Sequence, residues 1–180
     1  MKNKAYLPLL AMVILGVGLS HFGLKSDENG TLLLVDNRPV DVKGELSNYW
    51  TSLTRDCSRI RTLTSDEDMY QQTKKLIQSY SPPNSSSVKL FTVIASEEWI
   101  LAEAEFTDLL PAVALIRIDT EQNLKLNAYS MHVIPNAVWS GYTKPWKAAP
   151  YIRQYISSQA REAPAAMTNC FDPQSHSFNE

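Results

Sequence analysis

The feature that most constrains the fold is a series of four strand-like segments within residues 88–134. Each segment is rich in β-branched and aromatic residues, which favour the extended conformation. The breaks between them are short and polar or contain proline, so they permit hairpins but leave no room for crossover helices. The sequence therefore predicts an antiparallel meander. Its strands are expected at residues 88–94, 99–106, 112–119 and 124–134.

Before the meander, apolar residues recur at the spacing of one helical face from Val42 to Ile60. This period predicts a helix over about residues 45–61, with the apolar stripe buried and polar side chains in solvent. The stripe consists of Val42, Leu46, Tyr49, Trp50, Leu53, Cys57 and Ile60.

Two further helices are predicted from their boundary residues. Thr64 and Glu67 fit a capping box that starts the second helix, and the proline-containing residues 81–87 end it. Pro150 suits the first turn of the third helix, after the meander. Residues 31–35 form a short apolar run that either adds an edge strand to the sheet or leads the chain away from the membrane.

Alternation along the meander predicts how these helices pack. One face of the sheet is apolar, whereas the other, which holds Glu103 and Glu105, is half-polar. We therefore expect two or three helices on one face of a four- to five-stranded antiparallel sheet, in a two-layer α+β fold. The two glutamates are expected on a solvated face, paired across a hairpin with Arg117.

The first 24 residues have the pattern of a targeting segment. Lys2 and Lys4 precede an uncharged apolar stretch over residues 5–24, as in an export signal whose positive end stays in the cytoplasm. Two interpretations remain open. The segment is a signal peptide cut after Ser20, or it is a signal anchor, because its length just suffices to span a bilayer core of about 30 Å.

In both interpretations the chain from Lys25 onward lies outside the cytoplasm. It is then a single-pass membrane protein with an external C-terminal domain, or a periplasmic or secreted protein. Residues 25–30 are expected as a linker, residues 31–173 as one extracytoplasmic domain, and residues 174–180 as a frayed tail.

The chain has two cysteines, Cys57 and Cys170. In an oxidising compartment such a pair is expected to form one disulfide. Neither cysteine has another Cys or a His at the spacing of a metal site, and there is no Cys-x-x-Cys redox motif. Motifs that hold phosphate, dinucleotides, calcium or zinc are also missing, so no metal and no cofactor is predicted.

Three large aromatic residues, Trp139, Tyr142 and Trp146, lie close together after the meander. If they are exposed, they form a binding surface for a glycan, a peptide or an apolar ligand, because Trp and Tyr offer large contact areas at low entropic cost. If they are buried, they cover the open end of the sheet. They are the candidate binding residues.

No catalytic signature accompanies these features. Ser140, His132 and Asp119 supply the residue types of a hydrolase triad, but the Gly-x-Ser-x-Gly nucleophile elbow is absent. A formal net charge of −2 and the lack of a basic cluster argue against nucleic-acid binding.

The sequence therefore favours a non-catalytic binding or accessory module that contacts a protein partner at or near the membrane. The alternative is a carrier for a small ligand, with a pocket between the sheet and the helices. A hydrolase centred on His132 is the third and least favoured interpretation.

Overall fold

A computed structural model describes residues 21–27, 30–82, 85–119, 130–141 and 148–175 of the chain. Within these residues the fold is α+β, with one five-stranded and one three-stranded antiparallel sheet. The strands are β1 (Phe22–Asp27), β2 (Gly30–Val35), β3 (Arg38–Val40), β4 (Arg61–Thr62), β5 (Lys89–Ser96), β6 (Trp99–Glu105), β7 (Ala112–Asp119) and β8 (Ser130–Ser140). The helices are α1 (Val42–Thr54), α2 (Asp68–Tyr80), α3 (Ala148–Gln159) and α4 (Ala165–Cys170).

The large sheet contains the predicted meander in the order β4-β5-β6-β7-β8, with every neighbouring pair antiparallel. Strand β8 runs past the predicted end at residue 134 and includes Pro135. The β7–β8 register shifts at this point, and Pro135 lies in the irregular stretch, where the missing N–H does not interrupt the ladder. The predicted start of this strand falls within residues 120–129, outside the described part of the chain.

Helices cover both faces of this sheet, which corrects the two-layer prediction. Helix α2 packs on the face that carries Ile100 and Ile116, while α3 and α4 pack on the face that carries Leu101 and Leu115. The second face was expected to be half-polar because it includes Glu103. Its apolar side chains, which include Trp99, Val113 and Leu115, are buried beneath the helices, so the sheet is the middle layer of three.

Glu103 is itself fully buried, and it does not belong to a solvated acidic face. Its Oε2 atom accepts the backbone N–H of Gln174 and its Oε1 atom accepts that of Ser175, each at 2.8 Å. Residues 174–175, predicted to fray, are therefore held against β6. Arg117 pairs instead with Glu98, at 3.2 Å between Nη2 and Oε1.

The N-terminal region forms its own sheet of β1, β2 and β3. Residues 22–24, expected in the apolar targeting segment, begin β1. Of the expected linker 25–30, residues 25–27 complete β1 and Gly30 begins β2, which pairs with β1. Strand β2 is the centre of this small sheet and adds nothing to the edge of the large one. Asp36 and Asn37 both have positive φ, as a two-residue hairpin turn requires. Leu32 is buried and joins the core beneath α3.

Most of the predicted signal or anchor, residues 1–20, lies outside the described residues. In the part of the chain that is described, no helix has both the length and the apolar character needed to cross a membrane.

Helix α2 begins at Asp68, four residues after the predicted cap. The Thr64 N–H donates to Glu67 Oε1 at 2.8 Å, and the Glu67 N–H donates to the Thr64 carbonyl at 3.0 Å. The predicted pair therefore closes a turn just before the helix. Ile77 and Thr73 are the buried side chains through which α2 meets the sheet.

Candidate functional site

Helix α1 turns its apolar stripe toward solvent, which is the opposite of the predicted packing. Its five large apolar side chains are 42% to 65% exposed, and Gly44 is the buried residue of the helix. We call this surface the α1 apolar face. It comprises Val42, Leu46, Tyr49, Trp50 and Leu53.

The polar face of α1 packs on α3 and α4. Asp41 caps the helix, since its Oδ1 atom accepts the Gly44 N–H at 2.8 Å. A Cβ atom at position 44 would lie 2.7 Å from Asp41 Cγ and 3.1 Å from Pro150 Cβ, so only glycine permits this close approach to α3.

Arg153 on α3 explains why the polar face points inward. Its side chain is only 10% exposed, and it donates to Asn48 Oδ1 on α1 and to the Phe171 carbonyl, with Asp172 Oδ1 at 3.5 Å from Nη2. Burial lowers the pKa of the Arg153 guanidinium and Asp172 opposes the shift. A buried cation needs such acceptors, and α1 supplies one from its polar side.

The C-terminal end of α1 is fixed by a covalent bond. The helix ends at Thr54, because the chain then turns to form β4, so Cys57 and Ile60 do not continue the helical stripe. Cys57 is exposed and bonded to Cys170, which confirms the predicted disulfide. Arg55 Nη1 also donates to the Asn169 carbonyl at 3.3 Å. The disulfide points to an oxidising, extracytoplasmic compartment.

The small sheet extends the α1 apolar face. Leu24 of β1 and Leu33 of β2 line a shallow groove together with Val42 and Leu46. Phe22 lies two residues before Leu24 on the same side of β1, and both side chains are more than half exposed. The apolar surface therefore continues from α1 onto the first strand after residue 20.

A second apolar feature lies beneath the C-terminal end of α2. This α2 cleft has a volume of about 300 Å³. Its floor is formed by the alanines of β6 and β7, and its walls by side chains from α2 and from the β6–β7 connection. The residues that define it are Ile77, Tyr80, Ala104, Phe106, Leu109 and Ala112.

Of the three aromatic candidates, the structure describes Trp139, which lies in β8 and is only 7% exposed. Its ring makes an edge-to-face contact with Tyr151 of α3, with the centroids 6.5 Å apart. Trp139 therefore belongs to the core and covers the sheet. Tyr142 and Trp146 lie outside the described residues.

The residues of the hypothetical triad do not converge. His132 Nδ1 lies 3.0 Å from Asp119 Oδ2, and both side chains are partly exposed. Ser140 is eight residues further along β8, which places it about 26 Å away at the rise of an extended strand. Among the described residues, no three His, Cys, Asp or Glu side chains cluster as metal ligands would.

Comparisons with protein-family models, with curated proteins and with solved structures find no match for this chain. Function is therefore inferred from the geometry of the chain itself.

Sequence reasoning identifies the α1 stripe but predicts that it is buried, and it places an alternative ligand pocket between the sheet and the helices without naming lining residues. The exposure of α1 does have a sequence signal. Gly44, Asn48 and Thr51 recur at helical spacing and form a second stripe on α1, small and polar, that suits close helix packing. The alanines of the α2 cleft become informative only after the strand register is known.

Proposed function

We propose that this chain is a non-catalytic, extracytoplasmic binding module that docks a partner protein at or near the membrane through the α1 apolar face. One observation carries the proposal: five large apolar side chains are exposed along a helix whose position is fixed by the Arg153–Asn48 hydrogen bond on its opposite face and by the Cys57–Cys170 disulfide beyond its end. Contiguous exposed apolar patches on soluble domains commonly mark interaction sites.

The spacing of the exposed residues suggests how the partner binds. Val42, Leu46, Tyr49 and Leu53 follow the i, i+4, i+7, i+11 pattern by which an amphipathic helix enters an apolar groove. The helix needs no folding on binding, because its cap, Arg153 and the disulfide already hold it in place. The partner is therefore expected to offer an apolar groove that receives α1 and the adjoining Leu24.

The charge on α1 favours a protein over a lipid surface. Helices that lie in a membrane interface are typically rich in Lys and Arg on their polar face. Helix α1 contains one lysine, Lys43, and one acid, Glu45, and its last turn has no basic residue. Its polar side is also occupied by α3 and α4, so it offers little attraction to anionic lipid.

The position of the surface in the chain supports a partner near the membrane. Strand β1 begins at Phe22, at the end of the apolar stretch of residues 5–24. If that stretch is a signal anchor, which is one of the two interpretations of the sequence, the α1 apolar face stays close to the outer face of the membrane. If it is cleaved, the same surface serves a freely exported protein.

Site-specific photocrosslinking in cells tests this proposal. A photoreactive residue at Leu53 should yield one discrete protein adduct, and one at exposed Gln71 on α2 should not. Leu46→Asp should abolish the Leu53 adduct without changing the unfolding midpoint, because it places a charge in the groove contact.

Three outcomes would contradict the proposal. They are crosslinks to lipid alone, an adduct whose mass equals two copies of this chain, and an adduct that survives Leu46→Asp.

A further inference from the structure

We infer that the α2 cleft binds a small, neutral, largely apolar molecule with one hydrogen-bonding end. The cleft volume of about 300 Å³ lies at the lower limit for small-molecule sites in proteins, which span roughly 300–1,000 Å³. A linear molecule of medium chain length, such as an aliphatic alcohol or ester, suits this size and lining.

The strand register shows that the cleft is built into the sheet. On the face that α2 covers, β6 and β7 place Ile100 opposite Ile116. The next two cross-strand pairs on the same face are Ala102 with Ala114 and Ala104 with Ala112. Core positions are normally filled to crystal-like density, so two successive layers of alanine leave space that nearby side chains do not close.

Large side chains surround this floor on the remaining sides. Ile77 and Tyr80 come from the last turn of α2, and Phe106 and Leu109 from the chain that links β6 to β7. The opening is bordered by Leu110, which is 42% exposed. The space is therefore apolar within and reachable from solvent.

The polar groups at the cleft indicate the chemistry of the ligand. None of the described residues that line it carries a charge, whereas Tyr80, Ser81 and Ser140 contribute hydroxyl groups. The Ser81 hydroxyl already donates to the Ile77 carbonyl at 2.7 Å. A carboxylate or phosphate would lose hydration there without gaining a charged partner, which is costly. A neutral hydroxyl, ester or amide can exchange its water for the hydroxyl groups of Tyr80 and Ser140.

This inference is independent of the proposed docking surface. The cleft lies on the α2 face of the sheet, whereas α1 packs on α3 and α4, which cover the other face. Either proposal can therefore fail without the other.

Fluorescence titration of the full chain with N-phenyl-1-naphthylamine, a neutral apolar probe, provides the test. We expect saturable binding that 1-decanol displaces and decanoate does not. Ala112→Leu should weaken probe binding about tenfold or more, because the larger side chain fills part of the cleft that the probe would occupy. Ala165→Leu, which adds the same group at an exposed position of α4, should leave binding unchanged.

A second variant keeps the test decisive if Ala112→Leu fails to fold. Leu110→Asp places a carboxylate at the exposed rim of the cleft and should weaken binding of the neutral probe. Trp50→Ala should have no effect, which separates the cleft from the α1 apolar face. Absence of saturable binding, equal displacement by decanoate, or unchanged affinity in folded Ala112→Leu would overturn the inference.

Discussion

Strand β6 and helix α1 carry similar amounts of apolar side chain and use it in opposite ways. Leu101 of β6 is 1% exposed, whereas Leu53 of α1 is 63% exposed. The strand lies between two helical layers that bury both of its faces. The helix meets α3 and α4 through a glycine, an asparagine and a disulfide-bonded end. The spacing of apolar residues in the sequence therefore identifies which residues share a face, while the neighbouring elements determine whether that face is buried.

Removing the disulfide should change the free energy of unfolding most, because this bond, and not the burial of apolar side chains, holds α1 on the fold. The bond joins residues 113 apart, and chain entropy assigns such a loop about 4–5 kcal/mol before strain is considered. Replacing Cys57 and Cys170 together by serine should lower the free energy of unfolding by an amount approaching this value in denaturant titrations. A loss below about 1 kcal/mol would mean that α1 is held by other contacts.

A matched pair of leucine truncations sharpens the comparison itself. Leu101→Ala should cost about 2–5 kcal/mol of unfolding free energy, because it removes buried methyl groups and leaves a cavity. Leu53→Ala, which makes the same chemical change on an exposed face, should stay within about 0.5 kcal/mol. Similar losses at both sites would show that the α1 apolar face is buried in the isolated protein.

Glu103 tests whether a buried acid on β6 fixes the chain end. Glu103→Ala leaves the Gln174 and Ser175 N–H groups without their acceptor, which should cost about 1–3 kcal/mol. Glu103→Gln keeps one acceptor and should cost less, and exposed Glu162→Ala should be close to neutral. Hydrogen exchange at residues 174–175 should accelerate in Glu103→Ala. Unchanged exchange would argue against the contact.

The smallest expected change in the free energy of unfolding is at Gly44. In an exposed helix, glycine to alanine stabilises by about 1 kcal/mol. At position 44 the new Cβ atom would press on Asp41 and Pro150, so we expect destabilisation by a similar amount instead. Ser52→Ala on the exposed side of α1 is the control. A stabilised Gly44→Ala variant would mean that α1 does not approach α3 this closely.

Local sequence was sufficient for much of the fold. The β-branched segments predicted β5, β6 and β7, Pro150 predicted the start of α3, and compartment plus cysteine count predicted the disulfide. Each of these features depends on residues that are close together in the sequence, or on the known chemistry of a residue type such as cysteine.

The remaining features depend on residues far apart in the chain. The orientation of α1 follows from the bond between Asn48 and Arg153, and the burial of Glu103 from its bond to Ser175. Neither partner is visible in a local pattern, so an apolar stripe was assigned to the core and a buried acid to solvent. The α2 cleft similarly requires the β6–β7 register.

Hydroxyl-radical footprinting of the tryptophans, in purified protein and in intact cells, tests the central claim most directly. Trp50 is 65% exposed, whereas Trp99 is 3% and Trp139 7% exposed. In purified protein, Trp50 should oxidise much faster than Trp99 and Trp139. In cells it should become protected, while the other two stay unchanged. A Trp50 that is protected in purified protein, or equally reactive in both settings, would contradict an exposed α1 face that docks a partner.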